Sequence, residues 1–98
     1  MALKPNQIRH LRTLAHALKP VILVGAKGVT DAVVAELDLA LARHELVKVR
    51  LAGDDRQARG TGASDLAART RSEVVQRVGK TVSLYRRNPE GPGIELPR

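Results

Sequence analysis

The sequence predicts an α/β fold in which three helices pack on a single small mixed sheet of about four strands, in the order αβαβαββ. Three observations carry this reading. Segments with apolar residues at helical spacing alternate with short β-branched runs. Prolines, glycines and capping residues fall at the boundaries between them. The 98 residues suffice for one hydrophobic core and not for two. Residues 1–98 are therefore expected to form one domain, with an irregular tail rich in Pro and Gly from about residue 87.

Residues 6–18 place Ile8, Leu11, Leu14, Ala15 and Leu18 on one helical face, with Arg9, Arg12 and His16 along an adjacent stripe. Pro20 disfavours helical geometry at Lys19, so the chain should turn there into the extended run Val21 to Val24, read as a strand buried on both faces. The loop Gly25-Ala26-Lys27-Gly28 follows. Thr30 is placed to cap a second helix whose apolar face holds Val33, Val34, Leu37, Ala40, Leu41 and His44. Leu46 to Leu51 alternates, with Val47, Val49 and Leu51 on one side and Lys48 and Arg50 on an outer, basic side. A third helix is expected best formed around Asp65 to Arg71, because Gly60 and Gly62 each cost a helix about 1 kcal/mol relative to Ala. Val74 to Val78 and Thr81 to Arg86 read as strands joined by Gly79-Lys80, a pair suited to a type II′ hairpin turn. This order implies parallel neighbours among the early strands.

Composition narrows the function classes. The apolar fraction is 43%, yet Tyr85 is the only aromatic residue. Modules that read unstacked bases on several aromatic rings are therefore excluded. Absence of cysteine removes disulfides, thiolate metal sites and cysteine nucleophiles, and a cytoplasmic location is the default expectation. No apolar run approaches the ~20 residues of a membrane span. The net charge of +7 is unevenly distributed: residues 1–28 carry +5, residues 29–55 carry −3, and residues 56–98 carry +5. A basic surface concentrates polyanions and gains free energy by releasing their counterions, so nucleic acid is the first partner to consider.

The loop at Gly25 to Gly28 is the candidate contact. Two glycines around a lysine, between a buried strand and a capped helix, let the backbone approach an anion closely. The first amides of the helix that follows lack intrahelical acceptors, and the helix dipole adds positive character. The loop has neither the Walker spacing nor the three-glycine dinucleotide fingerprint, so no nucleotide cofactor, and no cofactor of any kind, is expected.

Several blocks resemble the bacterial YhbY family, also called the CRM domain, of RNA-binding proteins. They are Leu14-Ala15-His16-Ala17-Leu18-Lys19-Pro20-Val21, Val24-Gly25-Ala26-Lys27-Gly28-Val29-Thr30, His44-Glu45-Leu46-Val47-Lys48-Val49, Gly79-Lys80-Thr81-Val82-Ser83-Leu84-Tyr85-Arg86 and Ile94-Glu95-Leu96-Pro97-Arg98. The resemblance implies a domain similar to the C-terminal domain of a bacterial translation initiation factor. It also implies binding to large-subunit ribosomal RNA in precursor particles, and hence a role in ribosome assembly. By the same analogy Gly25, Ala26, Lys27 and Gly28 contact RNA, and Lys19, Lys48, Arg50, Arg56, Lys80 and Arg86 extend the surface. The departure lies in residues 57–73, where the family usually has a more apolar helix and this chain has Arg59-Gly60-Thr61-Gly62-Ala63.

Other polar residues read as structural, except that His16 is read equally as an RNA contact or as an end-of-helix structural residue. His10, His16 and His44 lack an HExxH spacing or partners for a metal site, so none is expected. Asp54-Asp55 at a strand end reads as a turn or helix cap. Ser64, Ser72 and Ser83 lack a nucleophile elbow, and no enzyme is expected. Tyr85 reads as partly core. The expected partner is structured RNA, recognised by shape and phosphates by a monomer with no membrane or small-molecule ligand. The rival readings are a DNA-binding or nucleoid protein and a module that docks on a ribosomal protein.

Overall fold

The computed structural model describes residues 3–98. Helix α1 spans Pro5–His16, α2 Asp31–His44 and α3 Arg56–Thr70, and strands β1 to β4 span Ile22–Val24, Leu46–Leu51, Glu73–Val78 and Thr81–Tyr85. The expected element order and fold class are observed. The sheet order is β1-β2-β4-β3, with β1 parallel to β2 and the other pairs antiparallel.

Helices α2 and α3 cover one face of the sheet. Leu37 and Leu41 of α2 and Ala63 and Leu66 of α3 meet Ile22, Val24, Val47, Val49, Leu51, Val82 and Leu84 in the main core. The branched aliphatic side chains fill this layer without any aromatic ring. Helix α1 covers the opposite face, where Leu11 and Ala15 pack with Leu46, Val75 and Tyr85. A register shift between Val74 and Gln76 makes Val75 the extra residue of a β-bulge, which turns it toward α1. Arg12 Nε donates to the bulge carbonyl of Val75 at 2.8 Å, so this arginine of the basic stripe serves the fold.

Three expectations need correction. β1 is not buried on both faces: Ile22 and Val24 are 4% exposed, whereas Leu23 is 62% exposed. The reason is that β1 is an edge strand, and α1 lies over β2, β3 and β4 instead. The outer side of β2 is basic but only partly open: Arg50 is exposed, whereas α1 covers Leu46 and Lys48 Nζ donates to the carbonyls of Ala15 and Leu18 at 3.1 and 3.4 Å. Lys48 thereby caps the C-terminal end of α1. The third helix is longer than expected and starts at Arg56. Asp55 accepts from the amides of Gln57 and Ala58 at 2.9 and 3.2 Å, an N-cap worth about 1 kcal/mol, and Ala63, Leu66 and Thr70 bury one face. Burial and capping together outweigh the two glycines. Smaller differences lie at the ends of α1, which stops at His16, and β4, which stops at Tyr85.

Residues after Tyr85 form no helix or strand, yet they are pinned in place. Glu45, buried at the C-cap of α2 with φ of 61°, accepts from the amides of Asn88, Gly93 and Ile94 at 2.7, 2.6 and 2.8 Å. Ile94 and Leu96 then close the α1-side core, and Gln7 Nε2 donates to the Pro97 carbonyl at 3.0 Å.

Candidate nucleic-acid interface

Parallel pairing of β1 with β2 sends both strands out of the sheet at the same end, and the β3–β4 hairpin turns at that end too. The loop after β1, the loop after β2 and the Gly79-Lys80 turn are consequently neighbours, as are the N-termini of α2 and α3. The Leu51 amide donates to the Lys80 carbonyl at 2.7 Å, and the Ala52 amide donates to the Val24 carbonyl at 2.9 Å, which ties these segments together.

Gly25 to Gly28 form a tight turn closed by a 3.0 Å hydrogen bond from the Gly28 amide to the Gly25 carbonyl. Gly28 has φ of 74°, a conformation that costs any residue with a Cβ roughly 1 kcal/mol or more. Gly25, Ala26 and Lys27 are exposed, and a Cβ built on Gly25 or Gly28 meets nothing within 4 Å. The turn is open to solvent. Thr30 Oγ1 accepts from the Val33 amide at 3.2 Å, so α2 begins just beyond the turn with its dipole aimed toward this end.

Several cations share this end of the sheet with Asp54 and Asp55. Arg50, near the end of β2, and Arg56, the first residue of α3, are exposed. Lys80 Nζ lies 3.0 Å from the Asp54 carboxylate, which the hydrogen bond and charge of Lys80 hold below the ordinary range. An exposed pair of this kind is weak and open to exchange for a phosphate. The sequence reading missed two further arginines. Arg77 of β3 reaches across to α3, where Nη2 donates to the Arg56 carbonyl at 3.2 Å, and its guanidinium lies over Gly60. Arg59 Nη1 donates to the Gly53 carbonyl at 2.8 Å, while its buried Nε finds no acceptor among the described residues. Between the Gly25 turn and the start of α3 is a cleft of about 620 Å³ whose walls include Val29, Leu51, Arg59, Gly62 and Asp65.

The other residues named from sequence lie elsewhere. Lys19 precedes β1 at the opposite end of the sheet, and Lys48 is engaged with α1 as described. Arg86 is also at that far end, about 15 Å away along β2 by strand rise. It is paired with the Asp38 carboxylate, and it donates to the Thr70 and Asp38 carbonyls at 2.9 and 3.0 Å. Those bonds tie β4 to α2 and α3. Tyr85 is 2% exposed and belongs to the core. Among the described residues, no group of three or more His, Asp or Glu side chains is placed to hold a metal ion. Among the described residues, no helix is long and apolar enough to cross a membrane.

An exposed glycine-bracketed turn, two helix N-termini and several Lys and Arg side chains at one end of a mixed sheet define a small basic α/β module. The CRS1/YhbY (CRM) domain model matches residues 3–86, and the chain belongs to this family. A Pseudomonas aeruginosa protein named as a probable RNA-binding protein is 43% identical over 90 residues, covering 92% of this chain and 86% of its own length. A Haemophilus influenzae protein named RNA-binding protein is 40% identical over 96 residues, covering 98% and 96% respectively. The solution structure of the hypothetical protein SAV1595 from Staphylococcus aureus shares the fold with a TM-score of 0.86 at 34% identity, covering 98% of this chain and 100% of that one.

Proposed function

We propose that this chain binds structured RNA through the loop end of its sheet, and that the RNA is a segment of large-subunit ribosomal RNA in precursor particles. In this reading it is a non-enzymatic, cytoplasmic ribosome-assembly factor that acts as a single-domain monomer. The observation that carries the reading is the convergence of the open Gly25 to Gly28 turn with Lys27, Arg50, Arg56, Lys80, Arg59 and Arg77 at one end of the molecule. Amides and cations there meet phosphate oxygens, while the lack of aromatic rings leaves little means of reading bases. Family membership and the names of the relatives favour RNA over duplex DNA. Lys48 and Arg86 are assigned to the fold, and Lys19 to the periphery.

The deciding experiment is ultraviolet crosslinking in cells, followed by sequencing of the attached RNA. Reads concentrated in one region of large-subunit ribosomal RNA, including unprocessed precursor, are expected. Reads dispersed over messenger RNAs, or recovery of DNA in place of RNA, would overturn the assignment.

A further inference from the structure

The α1 side of the sheet is only partly covered. Because α1 lies over β2, β3 and β4, the edge strand β1 presents its outer side chains to solvent, and Val21 and Leu23 are 63% and 62% exposed. Leu14 and Leu18, at and just beyond the C-terminal end of α1, are also exposed. Together with Leu46 and Ile94 they line or flank a groove of about 510 Å³. The proposed RNA contact does not use this apolar surface.

Three properties of the groove select its occupant. Its apolar wall is aliphatic, whereas unpaired bases gain most from aromatic or arginine planes. Its titratable lining residues are Lys19, His44 and Lys48, with no Asp or Glu among them, and Arg50 sits beside Leu23 in the β1–β2 register. A second copy of the chain would bring the same cations against these, so charge disfavours self-association. Finally, the Val24 carbonyl accepts from the Ala52 amide within the sheet, so strand alternation turns the Leu23 amide and carbonyl toward the open edge.

We infer that this groove docks an extended segment of another protein in which aliphatic and acidic residues alternate. Aliphatic side chains pack on Leu18, Val21 and Leu23, carboxylates face Lys19 and Arg50, and the backbone pairs with Leu23 as an added strand. The groove shares Arg50 with the proposed RNA surface but none of the Gly25 to Gly28 turn, and peptide binding that depends on Leu23 is measured without RNA.

The test uses the intact chain and a fluorescent peptide of alternating Leu and Glu. A Leu–Lys peptide of the same pattern and a single-stranded oligouridylate of matched charge run in parallel. The Leu–Glu peptide should bind, the Leu–Lys peptide about tenfold more weakly or not at all, and Leu23→Glu should weaken the Leu–Glu peptide about tenfold, the worth of one buried leucine. Leu23→Ser, a neutral truncation at an exposed position, should act in the same direction with an unchanged melting curve. Failure of the Leu–Glu peptide to bind, equal binding of both peptides, or affinity insensitive to Leu23 would overturn the inference. So would an oligouridylate site that depends on Leu23, or a Leu23-dependent dimer in sedimentation.

Discussion

The two ends of the sheet treat their charges in opposite ways. At the far end, Arg86 is held by Asp38 and two backbone carbonyls, and Glu45 by three tail amides. At the loop end Lys27 and Arg50 are exposed, Lys80 has one solvent-facing partner, and three positive-φ glycines, Gly28, Gly53 and Gly79, keep the turns bare. One end is closed by its own hydrogen bonds, and the other leaves donors for something outside the chain. Net charge alone does not distinguish them. What distinguishes Arg86 and Glu45 from Lys27 and Arg50 is whether a partner for the charge already exists within the fold.

The largest effect should come from breaking the closed end. Glu45→Ala strands three amides and should destabilise the fold by about 3 kcal/mol, read from denaturant unfolding. A loss under 1 kcal/mol would mean that the tail is held by packing alone. The same carboxylate predicts an acid response. Burial pushes the Glu45 carboxyl up, but the amide bonds from Asn88, Ile94 and Gly93 and the charge of Arg87 outweigh it and hold the group below its ordinary value of 4.5. Its stabilisation is thus complete above 4.5 and lost as pH falls through the lowered value. The protection factors of the Gly93 and Ile94 amides, relative to their intrinsic exchange rates, should fall over that acid range in the native chain, and Glu45→Gln should flatten the dependence.

A smaller effect, of opposite sign, is expected at the open end. A Cβ on Gly62 would make ordinary contacts with Leu51 and Val29 at 3.7 and 3.8 Å, so packing does not require glycine there. Gly62→Ala should raise stability by about 1 kcal/mol in thermal melts, through helix propensity. A destabilised variant would show that the cleft beside the turn is tighter than this geometry. The smallest effect concerns Tyr85, whose buried hydroxyl has no partner among the described residues. Tyr85→Phe should leave stability unchanged or raise it by up to about 1 kcal/mol, and a clear loss would reveal a bound water on the hydroxyl.

Much of this architecture was legible because periodicity reports burial. The stripe of Val33, Leu37 and Leu41 and the alternation of Val47, Val49 and Leu51 gave α2 and β2 directly. The first half of α3 was not legible, since propensity at Gly60 and Gly62 is a local quantity and the core that overrides it is not. β1 misled for a related reason: four apolar residues in a row describe a buried strand and an edge strand with a sticky outer face equally well. Of the candidate site, the glycine-bracketed turn could be read from its spacing. Arg59 and Arg77 could not, because their places are set by α3 starting at Arg56 and, for Arg77, by the packing of β3 against that helix. Glu45 did carry a signal. An acid at a helix C-terminus opposes the dipole and occupies a position that favours glycine, so its presence pointed to a tertiary role.

The most direct test of the contrast between the ends is the salt dependence of binding to a structured ribosomal RNA fragment. Lys27→Ala and Arg43→Ala remove the same charge, the first at the open turn and the second at the exposed C-terminal end of α2. Lys27→Ala should reduce the slope of log K against log salt by about one unit, and Arg43→Ala should leave it unchanged. Equal losses from the two variants, or an unchanged slope for Lys27→Ala, would contradict the account.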